Sequence, residues 1–162
     1  MHFFEVIRRR RSVRAFRPKP VATDTLRTIL QAASTAPSDR NLQSYEIYVV
    51  TDDLARMALA HAANDQFFVS QASAAIVFCA HNSVPDATIA CAFAMLAATA
   101  LGLGSVWVGD FQTSEVRGVL RAPDDVDPIA ILPLGYATEE PAASPRRRLE
   151  DLVHYMTQTS TT

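Results

Sequence analysis

The chain has 162 residues, a hydrophobic share of 49%, a charged share of 20% and a formal net charge of −2. This length suits one domain, since roughly 100–150 residues is typical, and a chain of this size buries enough surface to need no disulfide or metal staple. The apolar content excludes extensive disorder, and the near-neutral balance gives no bulk attraction to nucleic acid or to a membrane.

Cys79 and Cys91 both sit in apolar runs and read as reduced core residues, while His2, His61, His81 and His154 show no zinc-type spacing with either. No metal site is expected. The first residues, Met1 to Arg8, lack the basic-then-apolar order of a signal peptide, so a cytoplasmic protein is expected. The even average hides an asymmetry. Seven of the fifteen basic residues fall between Arg8 and Lys19, three more are Arg146, Arg147 and Arg148, and all but Lys19 are arginine.

In chain order, Phe3 to Arg10 carries Phe3, Phe4 and Ile7 at helical spacing, an amphipathic helix whose stripe should meet the core. Ser12 to Pro20 is extended, since Pro18 and Pro20 block a helix. A helix capped by Thr23 or Asp24 follows, with Leu26, Ile29, Leu30 and Ala33 as its stripe and Pro37 as its end. Ala36 to Asn41 is a loop and Tyr45 to Val50 a strand.

Asp52 to Ala62 reads as a helix and Ala74 to Ala80 as a buried strand. Pro85 to Gly102 reads as a helix that is apolar all round. Its apolar run, Ala87 to Leu103, is at the lower limit for a bilayer span and has no basic flank, so a buried helix is the better reading. Such a helix needs cover on every side, more than one chain of this size supplies, which implies a subunit interface. Ser105 to Val108 is a strand, Ser114 to Arg121 a helix capped by Thr113 or Ser114, and Pro128 to Leu134 a strand ending at Gly135. A Pro-containing acidic linker, Glu139 to Pro145, leads to the arginine triplet and a final helix or arm, Leu149 to Met156. The order predicts an α+β domain with a mixed sheet rather than a clean βαβ alternation.

Three stretches carry candidate chemistry. Arg10-Arg11-Ser12-Val13-Arg14 is either a solvated charged face or a phosphate site, because arginines and a hydroxyl this close can converge on three oxygens. Pro37-Ser38-Asp39-Arg40-Asn41-Leu42-Gln43 is either a polar turn or a loop that hydrogen-bonds the edge of a planar heterocycle. Leu101-Gly102-Leu103-Gly104-Ser105 ends a helix and enters a strand, the wrong polarity for a dinucleotide fingerprint and sufficient as a helix cap.

Taken together, these stretches resemble the FMN-dependent nitroreductase family. The matching residues are Arg10 to Phe16, Ala36-Pro37-Ser38 with Asn41 and Gln43, Leu101 to Ser105 with Trp107 and Gly109, Leu132 to Tyr136, and Arg146 to Leu149, in the family's order. The resemblance implies a mainly antiparallel sheet flanked by helices in an intertwined homodimer. It implies one FMN-binding domain over residues 1–162, with a C-terminal arm from about 139. It assigns Arg10, Ser12 and Arg11 to the FMN phosphate and Arg14 to the N1/O2 side of the ring as a tuning cation. It brings Pro37, Ser38 and Asn41 from the partner subunit, places the backbone of Gly109 and Asp110 near flavin N5, and closes Arg146 and Arg148 on the phosphate. Asn64 or Gln66 would supply amide contacts where some members have a cation.

The implied activity is ping-pong hydride transfer from NADH or NADPH through the flavin to nitroaromatics or quinones, with no catalytic side chain. The chain departs from the family at Gln43-Ser44-Tyr45, where Gln-Pro-Trp is common, and keeps only a few residues between Ala80 and Pro85, where larger members insert helices. A flavin-storage protein without turnover is the alternative.

Overall fold

The computed structural model describes residues 2–156. A four-stranded antiparallel sheet in the order β1-β2-β4-β3 is formed by β1 (Tyr45–Val50), β2 (Ala74–Ala80), β3 (Gly104–Ser105) and β4 (Asp127–Gly135). The α+β expectation therefore holds. β2 is central and buried along its whole length. Its period-2 alternation sends Ala74, Ile76 and Phe78 to one face and Ala75, Val77 and Cys79 to the other.

The first face is covered by α2 (Thr23–Ser34) and α5 (Val84–Ala100), through Leu26, Ile29, Ala33, Ala90, Cys91 and Ala94. The second is covered by α3 (Asp53–Ala62), α4 (Phe68–Gln71) and α6 (Thr113–Leu120), through Leu59, Val69 and Val116. Two covered faces explain why β2 reads as an unbroken apolar run. Burial pushes the Cys79 thiol up to about 12 and the Cys91 thiol higher still, so both are inert packing groups.

Several local expectations are corrected. α2 has Ala22 at its N-cap with no side-chain cap, which puts Thr23 and Asp24 inside the first turn, and it ends at Ser34, before Pro37. Asp52 lies outside α3 and caps it, accepting from the Ala55 amide at 2.8 Å. α5 is capped by Ser83, whose hydroxyl accepts from the Asp86 amide. Gln112, not Thr113 or Ser114, precedes α6 and gives no side-chain cap. The third strand is shorter than expected and is followed by an isolated bridge between Val108 and Ile131. After a 3-10 turn at Leu149–Asp151 the described chain continues without helix to Met156.

Two expectations about cover are answered differently. The stripe of α1 (Phe3–Arg9) does not reach the core, since Phe3, Phe4 and Ile7 are exposed and only Val6 is buried. α5 is buried on the flank facing α2 and the sheet, while Val84, Ala92, Phe93 and Ala100 are exposed on the other. Helical spacing specifies a stripe but not which body covers it. Among the described residues no helix is long and apolar enough to cross a membrane.

The segment from Ser12 to Arg17 lies as an added edge on the sheet. Ser12 pairs parallel with Ser105, the Val13 amide donates to the Ser105 carbonyl at 3.0 Å, the Arg17 amide to Tyr136 at 2.7 Å and the Thr138 amide to Ala15 at 3.1 Å. Two glycines permit this approach. A Cβ on Gly104 would stand 2.7 Å from the Val13 side chain, and one on Gly135 would stand 3.1 Å from the Phe16 ring. Gly104→Ala should therefore destabilise the fold by about 1–3 kcal/mol through overpacking. Chemical denaturation is the check, and adding Val13→Gly, which removes the Val13 Cβ as well as both methyls, should restore part of the loss.

Candidate functional site

The segment just described divides two neighbouring hollows. One, of about 350 Å³, is lined by Arg9, Arg11, Val13 and Arg17 together with Gly102 and Gly104 at the end of α5. The other, of about 250 Å³, is lined by Ser12, Arg14 and Ala15. Glu139 and Pro141 border both.

Arg11 is half-buried, and its Nη1 donates to the carbonyls of Arg8 at 2.6 Å and Arg10 at 3.0 Å. Its Nε is buried without a partner, as is the hydroxyl of Ser105 beside Ser12. Both atoms can donate and neither finds an acceptor among the described residues. Unpaired buried donors are costly, and an acidic oxygen is the group that would satisfy them. Arg11 lines the larger hollow and Ser12 and Arg14 the smaller, while Arg10 lines neither, and donors of these kinds suit an acidic oxygen.

Arg14 is exposed and its guanidinium lies 6.0 Å from the centre of the Phe68 ring, the outer limit of a cation–π contact. That contact carries the segment towards the turn between α3 and α4, which holds Asn64 and Gln66. Asn64 Nδ2 donates to Asp110 Oδ1 at 2.9 Å, and Gln66 Nε2 donates to the Asp110 carbonyl at 3.0 Å. Asn64, Gln66, Gly109 and Asp110 therefore share one neighbourhood, which Arg14 approaches through Phe68. Phe68, which stands where some family members carry a cation, belongs to it as well, as does Gln112, which was not anticipated. The Asn64-Asp65 pair, a typical turn dipeptide, was the available signal.

The loop carrying Pro37, Ser38 and Asn41 lies elsewhere. It forms a 3-10 turn, Asp39–Asn41, and Arg40 and Asn41 within it and Gln43 just after it all have positive φ (47°, 58° and 51°). Three non-glycine residues in that region within four positions mark a strained loop, a common property of binding segments. It is fastened internally by the Gln43 amide donating to Ser38 Oγ at 3.0 Å, and to the body by the Asp39 amide donating to Asp86 Oδ1 at 3.2 Å. Asp86 is buried in the first turn of α5, and its Oδ2 has no partner among the described residues.

Asp86 and Thr99, which lines the arginine hollow, mark opposite ends of α5. Thirteen residues of helix put them about 20 Å apart. Within one chain the loop and the arginine segment cannot close on the same small ligand. The C-terminal arginines are not gathered there either. Arg148 Nη2 and Nε reach Asp151 Oδ1 and Oδ2 at 2.9 and 3.1 Å, Arg146 Nη1 donates to the Pro145 carbonyl at 3.4 Å, and neither lines the two hollows.

With this geometry in view, the profile described as "Nitroreductase family" matches residues 7–83 and 80–136. The chain belongs to that family. It is 32% identical over 166 residues to the oxygen-insensitive NADPH nitroreductase of Salmonella typhimurium, covering 89% of this chain and 69% of that one. The solved structure of NfrA2 from B. megaterium superposes with a TM-score of 0.91 at 26% identity, over 99% of this chain and 77% of the other. An FMN-dependent nitroreductase from Clostridium difficile superposes with a TM-score of 0.85 at 29% identity, over 96% and 99%.

Asp86 supplies the one side-chain tie between the strained loop and α5. Asp86→Ala should loosen the loop while leaving the sheet in place. Trypsin should cut after the exposed Arg40 severalfold faster in the variant than in the parent at equal thermal stability, and an unchanged cleavage rate would remove the anchoring role.

Proposed function

We propose that this chain is an FMN-dependent oxidoreductase acting as a homodimer with shared flavin sites. The observation that carries the reading is the arginine segment with two buried donors, Arg11 Nε and Ser105 Oγ, that lack an acceptor. The names of the relatives support the cofactor and its electron donor. FMN held by these residues would supply hydride-transfer chemistry between NADH or NADPH and an electron-poor acceptor such as a nitroaromatic or a quinone.

The residues of the chain bind and orient. Arg10, Arg11 and Ser12 hold the phosphate, and Arg14 faces the N1/O2 side of the ring, where a cation favours added negative charge. Gly109 and Asp110 present backbone N–H groups towards N5. Pro37, Ser38 and Asn41 reach the ring from the partner subunit, which answers the separation of about 20 Å along α5. The second subunit also covers the open flank of α5 and the exposed face of α1. Arg146 and Arg148 would join the phosphate after Arg148 exchanges Asp151 for it. The buried thiols suit a reducing compartment, so we place the protein in the cytoplasm.

The purified protein should be yellow and release FMN rather than FAD, because no Gly-rich helix start exists for a pyrophosphate. Arg10→Ala should weaken FMN binding by about 1.5–3 kcal/mol, the range for hydrogen bonds to charged groups. Initial velocities with NADH or NADPH against a quinone series should give parallel lines. Bound flavin that NAD(P)H fails to bleach would favour the storage reading, and a flavin-loaded monomer in sedimentation would contradict the shared site.

A further inference from the structure

The family resemblance leads one to expect that Asn64 or Gln66 touches the flavin with its amide, but both amides are engaged elsewhere. Besides its bond to the Asp110 carbonyl, Gln66 Nε2 donates to the Ala63 carbonyl at 2.9 Å. Asn64 holds the Asp110 carboxylate with Nδ2 and accepts with Oδ1 from Gln112 Nε2 at 3.3 Å. The Gln112 backbone amide donates to the Ala62 carbonyl at 2.7 Å. The turn after α3 thus grips residues 110–112 by a side chain, a carbonyl and an amide at once.

The turn is shaped for this grip. Asn64 and Asp65 have φ of 55° and 60°, a left-handed conformation that Asn and Asp tolerate better than most residues. Gly109 and Asp110 are exposed, and their backbone N–H groups have no acceptor among the described residues. Asp110 is tied by its carboxylate and its carbonyl, while its N–H and that of Gly109 have no acceptor among the described residues. A hydrogen-bond donor contributes most to a reaction when it is held in place beforehand.

We propose that Asn64, Gln66 and Gln112 are positioning residues that act through Asp110, fixing the backbone at Gly109 and Asp110 so that the two N–H groups face the bound flavin. The proposal rests on the flavin reading above. N5 of the oxidised ring accepts a hydrogen bond, whereas N5 of the reduced ring carries its own proton. A fixed donor there favours the oxidised form, and loosening it raises the midpoint potential.

The test uses the FMN-loaded full chain and reads the flavin midpoint potential together with amide hydrogen exchange over residues 109–112. Asn64→Gly deletes the amide without opposing the positive φ. Asn64→Gly and Asp110→Ala should each raise the preference for reduced flavin about tenfold, which is about 30 mV for a two-electron couple. The double variant should go no further than the larger single, because both changes cut one tie. Exchange at 109–112 should quicken in all three and stay slow in Asp110→Asn, which keeps an acceptor for Asn64. If Asn64→Gly does not fold, Gln112→Ala cuts the same network from its other end and should shift both readouts in the same direction. Additive potential shifts would mean that Asn64 touches the flavin directly and would overturn the proposal, as would unchanged potential and exchange. A parent chain that takes up no FMN would overturn the proposed function and this inference with it, whereas a flavin-loaded parent with unmoved variants would leave that function standing.

Discussion

The length of α5 is the constraint from which the rest of the site follows. Its Ser83-capped start holds the strained Asp39–Asn41 turn through Asp86, and its other end, at Thr99 and Gly102, borders the hollow that contains Arg9, Arg11 and Arg17. A rigid helix of this length keeps the polar loop and the cationic segment about 20 Å apart. It also leaves its own Val84 and Phe93 in the open. The proposed second subunit would resolve both problems together. It would cover an apolar flank, and it would set one chain's loop against the other chain's arginines. The interface and the site would then be one feature, and weakening dimerisation should release flavin.

At the arginine end, geometry and charge oppose each other. Gly104 and Gly135 let the segment from Ser12 to Arg17 lie flat on β3 and the end of β4, which fixes its backbone. The fixed backbone crowds Arg9, Arg11 and Arg17 around one hollow, with Glu139 and Glu140 as the opposing charges on its rim. Arg148 is already occupied by Asp151, which holds its guanidinium above the usual range and the carboxyl below its own through their hydrogen bond. An incoming phosphate must compete with that local pair, whereas Arg10 and Arg14 form no ion pair among the described residues.

The parts legible in the sequence are those determined by local pattern. The unbroken apolar run from Ala74 to Ala80 needed both sheet faces covered, and it has them. The Pro-blocked stretch after Ser12 is extended, and Gly102 ends α5 with a φ of 78°. The parts that were not legible depend on distant partners. Asn64 and Gln66 lie 46 and 44 positions from Asp110, and no periodicity links them. The Phe3, Phe4 and Ile7 stripe was read as core because spacing reports that a face is apolar but not what covers it. α2 went without a side-chain cap because α2 is held by packing, through the buried Leu26, Ile29 and Ala33, more than by its ends.

These features imply that binding and folding are coupled in this protein. The segment from Ser12 to Arg17 is held mainly by backbone hydrogen bonds and by Val13 and Phe16, which form a small cluster with Ala72 apart from the two main cores. It follows directly on the run Arg8 to Arg11, where positive charge is densest, and it lies beside two donors that are buried unsatisfied, Arg11 Nε and Ser105 Oγ. Each of these costs falls when a dianion arrives. A ligand that binds only the folded state adds stability as the logarithm of its concentration over its dissociation constant, about 2.7 kcal/mol at a hundredfold excess. That gain should concentrate in the edge carrying the segment and leave β2 and β4 almost unaffected, because the two large cores on either face of the sheet hold those strands without it.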